Sequence, residues 1–80
     1  MPLVFRDKGL RFHFFSNEGN PREPIHIHVE RDGHEAKFWL GDTIELAYNH
    51  GLDRRSLAMA LLIIRARKRE LQDAWHGHFR

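Results

Sequence analysis

Pro24-Ile25-His26-Ile27-His28-Val29-Glu30-Arg31-Asp32-Gly33-His34-Glu35-Ala36-Lys37-Phe38-Trp39-Leu40 reads as two alternating segments around a turn. Successive side chains of a strand point to opposite faces. The first segment therefore presents Ile25, Ile27 and Val29 on one face and His26, His28 and Glu30 on the other. Asp-Gly is a favoured two-residue type I′ hairpin turn. Centring it on Asp32-Gly33 sets Arg31 opposite His34, Glu30 opposite Glu35, Val29 opposite Ala36 and His28 opposite Lys37. Further along, Ile27 meets Phe38, His26 meets Trp39 and Ile25 meets Leu40. A slip of one residue would throw every aliphatic to the wrong face. The hairpin thus has one apolar face and one face carrying His26, His28, Glu30, Lys37 and Trp39.

On its N-terminal side, Leu3-Val4-Phe5 reads as a strand and Asp7-Lys8-Gly9 as its turn. A second strand is predicted over Leu10 to Phe15, with Leu10, Phe12 and Phe14 facing one way and Arg11, His13 and Phe15 the other. Ser16 to Pro24, with its prolines, asparagines and glycine, reads as a loop. On the C-terminal side, Gly41-Asp42 breaks the hairpin. Thr43 to Tyr48 then alternates as a short edge strand or forms a helical turn, and Asn49-His50-Gly51 turns the chain. Asp53 is placed to cap a helix, with Leu52 and Leu57 as a hydrophobic staple. The helix is predicted from about Arg54 to Trp75, with Gly77 as the residue that ends it. Its buried stripe reads Leu57, Leu61, Ile64, Leu71 and Trp75, with the stem of Lys68 at its edge; Met59, Leu62, Ile63 and Ala66 point away.

These elements make one α+β domain over residues 1–80. A small antiparallel sheet of four to five strands, between about residues 3 and 49, packs against one long C-terminal helix over about 54–75. The expected core is Leu10, Phe12, Phe14, Ile25, Ile27, Val29, Phe38, Leu40, Leu57, Leu61 and Ile64. A chain of 80 residues has no room for a second core, and at this size it buries only roughly 60–65% of its unfolded surface. With no cysteine there is no disulfide framework and no thiol chemistry. The first residues carry no signal-peptide pattern and no apolar run is long enough to span a membrane, so a soluble, cytoplasmic protein is expected. The formal charge of +2 sets thirteen basic against eleven acidic residues, which argues against a dedicated nucleic-acid coat. Protonating all seven histidines would raise that charge to +9.

Several stretches together resemble a known family. Arg11-Phe12-His13-Phe14-Phe15-Ser16-Asn17-Glu18 is similar to its opening aromatic strand, and Pro24-Ile25-His26-Ile27-His28-Val29 to its Pro-x-His-x-His-Val core. Ala36-Lys37-Phe38-Trp39-Leu40 follows, and then Asn49-His50-Gly51 and Ala74-Trp75, in the family's order. The chain resembles the short prokaryotic proteins grouped as domain-of-unknown-function family 4160. Ile25 stands where that family often carries a second proline. What the resemblance implies is one half of a toxin–antitoxin-like pair, encoded beside another small protein.

Two chemistries suit the histidine face. Histidines two apart on a strand can reach one ion, so His26 and His28 are candidate ligands for a divalent metal such as zinc, with Glu30, His13, His50 or Glu18 as the third. Metal-free acid–base cleavage of RNA is the other, with His26 and His28 as base and acid, Lys37 stabilising developing charge and Trp39 stacking on a base. Against both stands a binding module without catalysis, its histidines packed and hydrogen-bonded. Met59, Leu62 and Ile63, on the second apolar helix surface, would contact a small protein partner or a second copy of the chain, and Trp39 and Glu30 belong to the recognition face of the sheet.

Overall fold

The computed structural model describes residues 3–15 and 23–79; the predicted loop over Ser16–Arg22 and the candidate ligand Glu18 lie outside them. Five strands, β1 (Leu3–Asp7), β2 (Leu10–His13), β3 (His26–Arg31), β4 (His34–Leu40) and β5 (Ile44–His50), are followed by α1 (Arg54–Ala66) and α2 (Lys68–His78). The strands lie in sequence order in one antiparallel sheet, each beside its neighbour in the chain. The β3–β4 register is the one the Asp32-Gly33 turn dictates, from His26 opposite Trp39 to Arg31 opposite His34. Asp32 and Gly33 both take positive φ, 52° and 81°, as a type I′ turn requires. Lys8 and Gly9 repeat that signature at 51° and 80°, joining β1 to β2.

The ambiguous segment after Gly41 is a strand. It pairs with β4 through a register shift between Lys37 and Phe38, and it runs to His50, through the residues predicted to turn. Asn49 ends it with a local clamp, its side-chain amide donating to the Leu52 carbonyl and accepting from the Leu52 N–H at 2.9 Å each. Asp53 then caps α1, its carboxylate accepting from the Ser56 N–H at 2.7 Å.

The single long helix is corrected to two. The backbone leaves helical geometry at Arg67 (φ −118°, ψ 25°), although the Arg67 N–H still donates to Ile63 and its carbonyl still accepts from Leu71. A straight helix over 54–75 would run about 33 Å, whereas a seven-residue strand spans only about 23 Å. Bending at Arg67 returns Leu71 and Trp75 to the sheet, where both are buried. The Arg67 guanidinium sits on the Phe5 ring, 3.4 Å from its centroid, reaches Asp7 at 3.4 Å and grips Glu70 by two bonds of 2.8 Å. No glycine or proline marks the bend. Gly77 is likewise inside α2 and does not end it; the helix continues to His78 because Phe79 folds back on Trp75 and Phe14.

One face of the sheet supplies Leu10, Phe12, Ile27, Val29, Ala36, Phe38 and Leu40 to the core. From α1 the core takes Ala60, Ile63 and Ile64, so the buried stripe is rotated from the predicted one. Ala60, a small side chain fully buried in this stripe, marks the rotation. Leu57 and Leu61, expected in the core, become its partly buried flanks, as does Ile25.

Candidate functional site

The opposite sheet face collects the ionisable side chains. His28 of β3 has His13 of β2 opposite it on one side and Lys37 of β4 on the other, and Tyr48 of β5 stands opposite Lys37. The sheet thus brings His13, His26, His28, Lys37, Trp39 and Tyr48 onto one surface. It does not leave them open to solvent. His26 is 0% exposed, His28 1% and His13 4%. The histidine face is therefore a buried polar layer.

Three rings close it. Phe15 lies on His28 with centroids 4.2 Å apart, although β2 itself stops at His13, two residues short of the predicted strand. Trp39 meets His26 edge-on at 5.5 Å. Trp75 comes around the end of the sheet from α2 and reaches His26 at 4.9 Å while also packing on Phe14 at 5.4 Å. One indole therefore joins the apolar core to the histidine layer.

Inside the layer His26, His28 and Tyr48 find close polar partners. His26 donates from Nδ1 to the Pro24 carbonyl at 2.9 Å, which fixes its ring against the start of its own strand. His28 Nδ1 bonds the Glu35 carboxylate, and the Tyr48 hydroxyl donates to the same carboxylate oxygen at 2.9 Å. His13 stacks on His28 with centroids 5.7 Å apart. Its Nδ1 is buried and makes no hydrogen bond among the described residues. Burial pushes the His13 imidazole below its ordinary pKa, and the neighbouring His28 adds to that shift.

Lys37 is already engaged. Its ammonium pairs with Glu23 at 3.0 Å and lies over the Trp39 ring, 4.4 Å from the centroid. Glu30 is turned to Arg11, at 3.7 Å, and to the Gly33 N–H, at 3.2 Å, where it braces the hairpin turn. Among the candidate third ligands, His13 is in the layer and His50 stacks on Tyr48 at 4.4 Å. Among the described residues no three His, Asp or Glu side chains are grouped to hold a metal ion.

Glu35 and Tyr48 are the members of this network that sequence reasoning missed. The hairpin register already put Glu35 diagonally across from His28, within reach of a long side chain. Tyr48 needed the bulged β4–β5 register, which no local pattern announces. On α1, the expected second apolar surface is reduced: Ile63 is 5% exposed and belongs to the core, Met59 packs against that core, and Leu62 stands out at 62%.

The model of the domain of unknown function DUF4160 matches residues 9–76, from the start of β2 into α2. The chain belongs to this family. The match takes in the whole histidine layer and the indole that closes it. No curated protein and no solved structure matches the chain. Among the described residues no helix is long and apolar enough to cross a membrane.

Proposed function

We propose that the chain is a cytoplasmic protein-binding module, one half of a two-protein, toxin–antitoxin-like pair, and that it binds through the open edge of β5. The observation that carries this reading is Leu46, 49% exposed on a seven-residue strand that has β4 on one side and no strand on the other among the described residues. An edge strand offers a row of unpaired backbone groups, which proteins usually shield with lysine, proline or short length. β5 has neither lysine nor proline and is seven residues long; its shields are the bulge at Ala47 and the single carboxylate of Glu45. An extended segment of a partner can add to such an edge, with main-chain bonds giving affinity and side-chain pockets giving selectivity.

Beside that edge, Trp39, Ile25 and Pro24 line an open depression of about 510 Å³ whose rim carries Asp42 and Glu45. The partner segment that fits is therefore extended, with an apolar anchor beside Trp39 and basic residues against the acidic rim. The test is a photo-crosslinking side chain placed at Leu46 or at Leu62 in the native cells. One small protein of defined sequence trapped from Leu46, and lost in Leu46→Glu with the fold intact, is the expected result. Trapping from Leu62 alone, or a second copy of the chain trapped at Leu46, would overturn the edge or the partner respectively.

A small ribonuclease-like or metal-binding enzyme is the second reading, favoured by the His28–Glu35–Tyr48 bonds. A carboxylate that orients an imidazole is a recurrent acid–base arrangement. Burial opposes it, because neither His26 nor His28 can reach a substrate without Phe15 or Trp75 moving away. The acidic rim beside Trp39 also repels a phosphate backbone. RNA cleavage by the wild-type chain that disappears in Glu35→Gln would reverse the order of the two readings.

A further inference from the structure

At the end of the sheet away from Trp75, the β1–β2 turn, the β3–β4 hairpin and the start of α1 enclose a half-open groove of about 680 Å³. Lys8 comes from the first turn, Arg31 from the end of β3 and Arg55 from the first turn of α1. His34 completes the basic wall. None of Lys8, Arg31 and Arg55 forms an ion pair among the described residues, in contrast to Lys37 and Arg67. We propose that this groove binds the phosphate of a small phosphomonoester. It is independent of the β5 edge, which lies along a different border of the sheet.

Three observations support the assignment. The first is the convergence of charge. The carboxylates lining the groove are Asp32 and Asp53, so the three fixed cations outnumber them by one. Asp53 is committed to capping α1 through the Ser56 N–H. Its carboxyl is held below the ordinary range chiefly by Ser56, with the fields of Arg31 and Arg55 adding. Like charges gathered in a concave site raise the local potential and attract a multivalent anion.

The second is positioning. The Arg31 guanidinium rests at Gly9, where a β-carbon would lie 3.9 Å from Cζ, and it donates from Nη1 to the Ser56 hydroxyl at 3.5 Å. Ser56 is itself buried. The His34 imidazole is seated directly on Gly51, at φ +103°, in space that any β-carbon would occupy. The Arg31 guanidinium and the His34 ring are thus both set against backbone at positions held by glycine.

The third is the match of ligand chemistry. A guanidinium fork pairs with two oxygens of a phosphate at once, and two forks with an ammonium suit a dianion better than a carboxylate. The groove is far larger than a free phosphate and is within the range of small-molecule sites. Leu52 and Met59 give it an apolar wall for the body of the ligand. Among the described residues its lining has no Phe, Tyr or Trp on which bases could stack, which favours a small phosphomonoester over single-stranded nucleic acid.

The test is a titration of the full chain with glycerol phosphate and with pyrophosphate, followed by amide NMR at low salt. Shifts confined to residues 8–9, 31–34 and 51–56 are expected, with affinity falling about tenfold or more in Arg31→Gln/Arg55→Gln as two charge-assisted contacts are lost. Lys8→Gln is the companion variant, and unchanged urea midpoints in both show that binding alone is affected. Whether or not pyrophosphate, which is no ester, binds, absence of shifts with glycerol phosphate at millimolar concentration overturns the proposal. So does equal binding of sulfate, which would mean that the groove senses bulk charge only. Tighter binding of a short single-stranded RNA, mapped to the same amides, would replace the small phosphomonoester with a nucleic acid.

Discussion

Replacing Trp75 by alanine should bring the whole domain close to its unfolding limit. The indole is buried and touches Phe14, His26 and Phe79 at centroid distances of 5.4, 4.9 and 4.2 Å. Truncating a buried tryptophan to alanine costs about 3–5 kcal/mol, since the lost transfer free energy is joined by that of the cavity left behind. A domain of this length has a total stability of about 4–12 kcal/mol. The single change therefore removes a large share of what holds the chain folded, and it admits water to His26 from the side that Trp75 had closed. Urea unfolding followed by far-ultraviolet circular dichroism measures the loss, and Trp39, the remaining tryptophan, reports independently by fluorescence. Trp75→Phe keeps a ring against Phe14 and Phe79 and should recover much of the deficit. A loss in Trp75→Ala within about 0.5 kcal/mol, the range of ordinary surface substitutions, would refute the view that this side chain binds the helical layer to the histidine layer.

Because burial depresses the His13 pKa in the folded state, the unfolded chain takes up that proton first as pH falls. Its contribution to stability is intact above the ordinary histidine value of ~6.5, declines as pH falls from there to the lower folded value, and levels off below it. Urea midpoints between neutral and mildly acidic pH should show this slope, and His13→Phe should flatten it. Gly51→Ala meets both a positive φ and the His34 ring, so it should destabilise by about 1–3 kcal/mol. Adding His34→Ala should remove the collision but not the backbone strain, and a double-mutant cycle by urea unfolding separates the two. Ala60→Leu overfills the contact between α1 and the sheet and should cost about 1–3 kcal/mol, while Ala58→Leu on the exposed side should be nearly neutral; equal costs by thermal melting would contradict the rotated stripe.

The β3–β4 hairpin was legible to the residue because two independent signals, turn chemistry and binary alternation, fix the same register. The Asp53 cap was legible for a similar reason, since a short acceptor side chain before an apolar-periodic run satisfies a specific N–H. The bend at Arg67 was not. Its cause is tertiary: the guanidinium is held by Phe5 and Asp7, some sixty residues earlier, and the sheet is shorter than a straight helix would be. The histidine pair was found from alternation, but its burial was not, because alternation of polar with apolar residues describes a half-solvated strand and a strand with a buried polar face equally well. Phe15 and Trp75 decide between these cases, and neither belongs to the strand they cover. Ala60 was overlooked because a helix stripe is read from large side chains, whereas this small one is fully buried in it.

The plain strand order has a consequence for how the chain reaches this state. Two turns of two residues and one short connection after Leu40 allow β1–β2 and β3–β4–β5 to zip together from neighbouring segments. Closing short loops loses little chain entropy, and local pairings form quickly. The contacts of Trp75 with Phe14 and His26 join segments about fifty to sixty residues apart and have no such advantage. The sheet can thus assemble while the imidazole of His26 still trades hydrogen bonds with water, and the indole expels that water only when α2 docks. Dehydration of the polar layer becomes a late event in folding, at a stage when strand pairing has already fixed the neighbours of each ring.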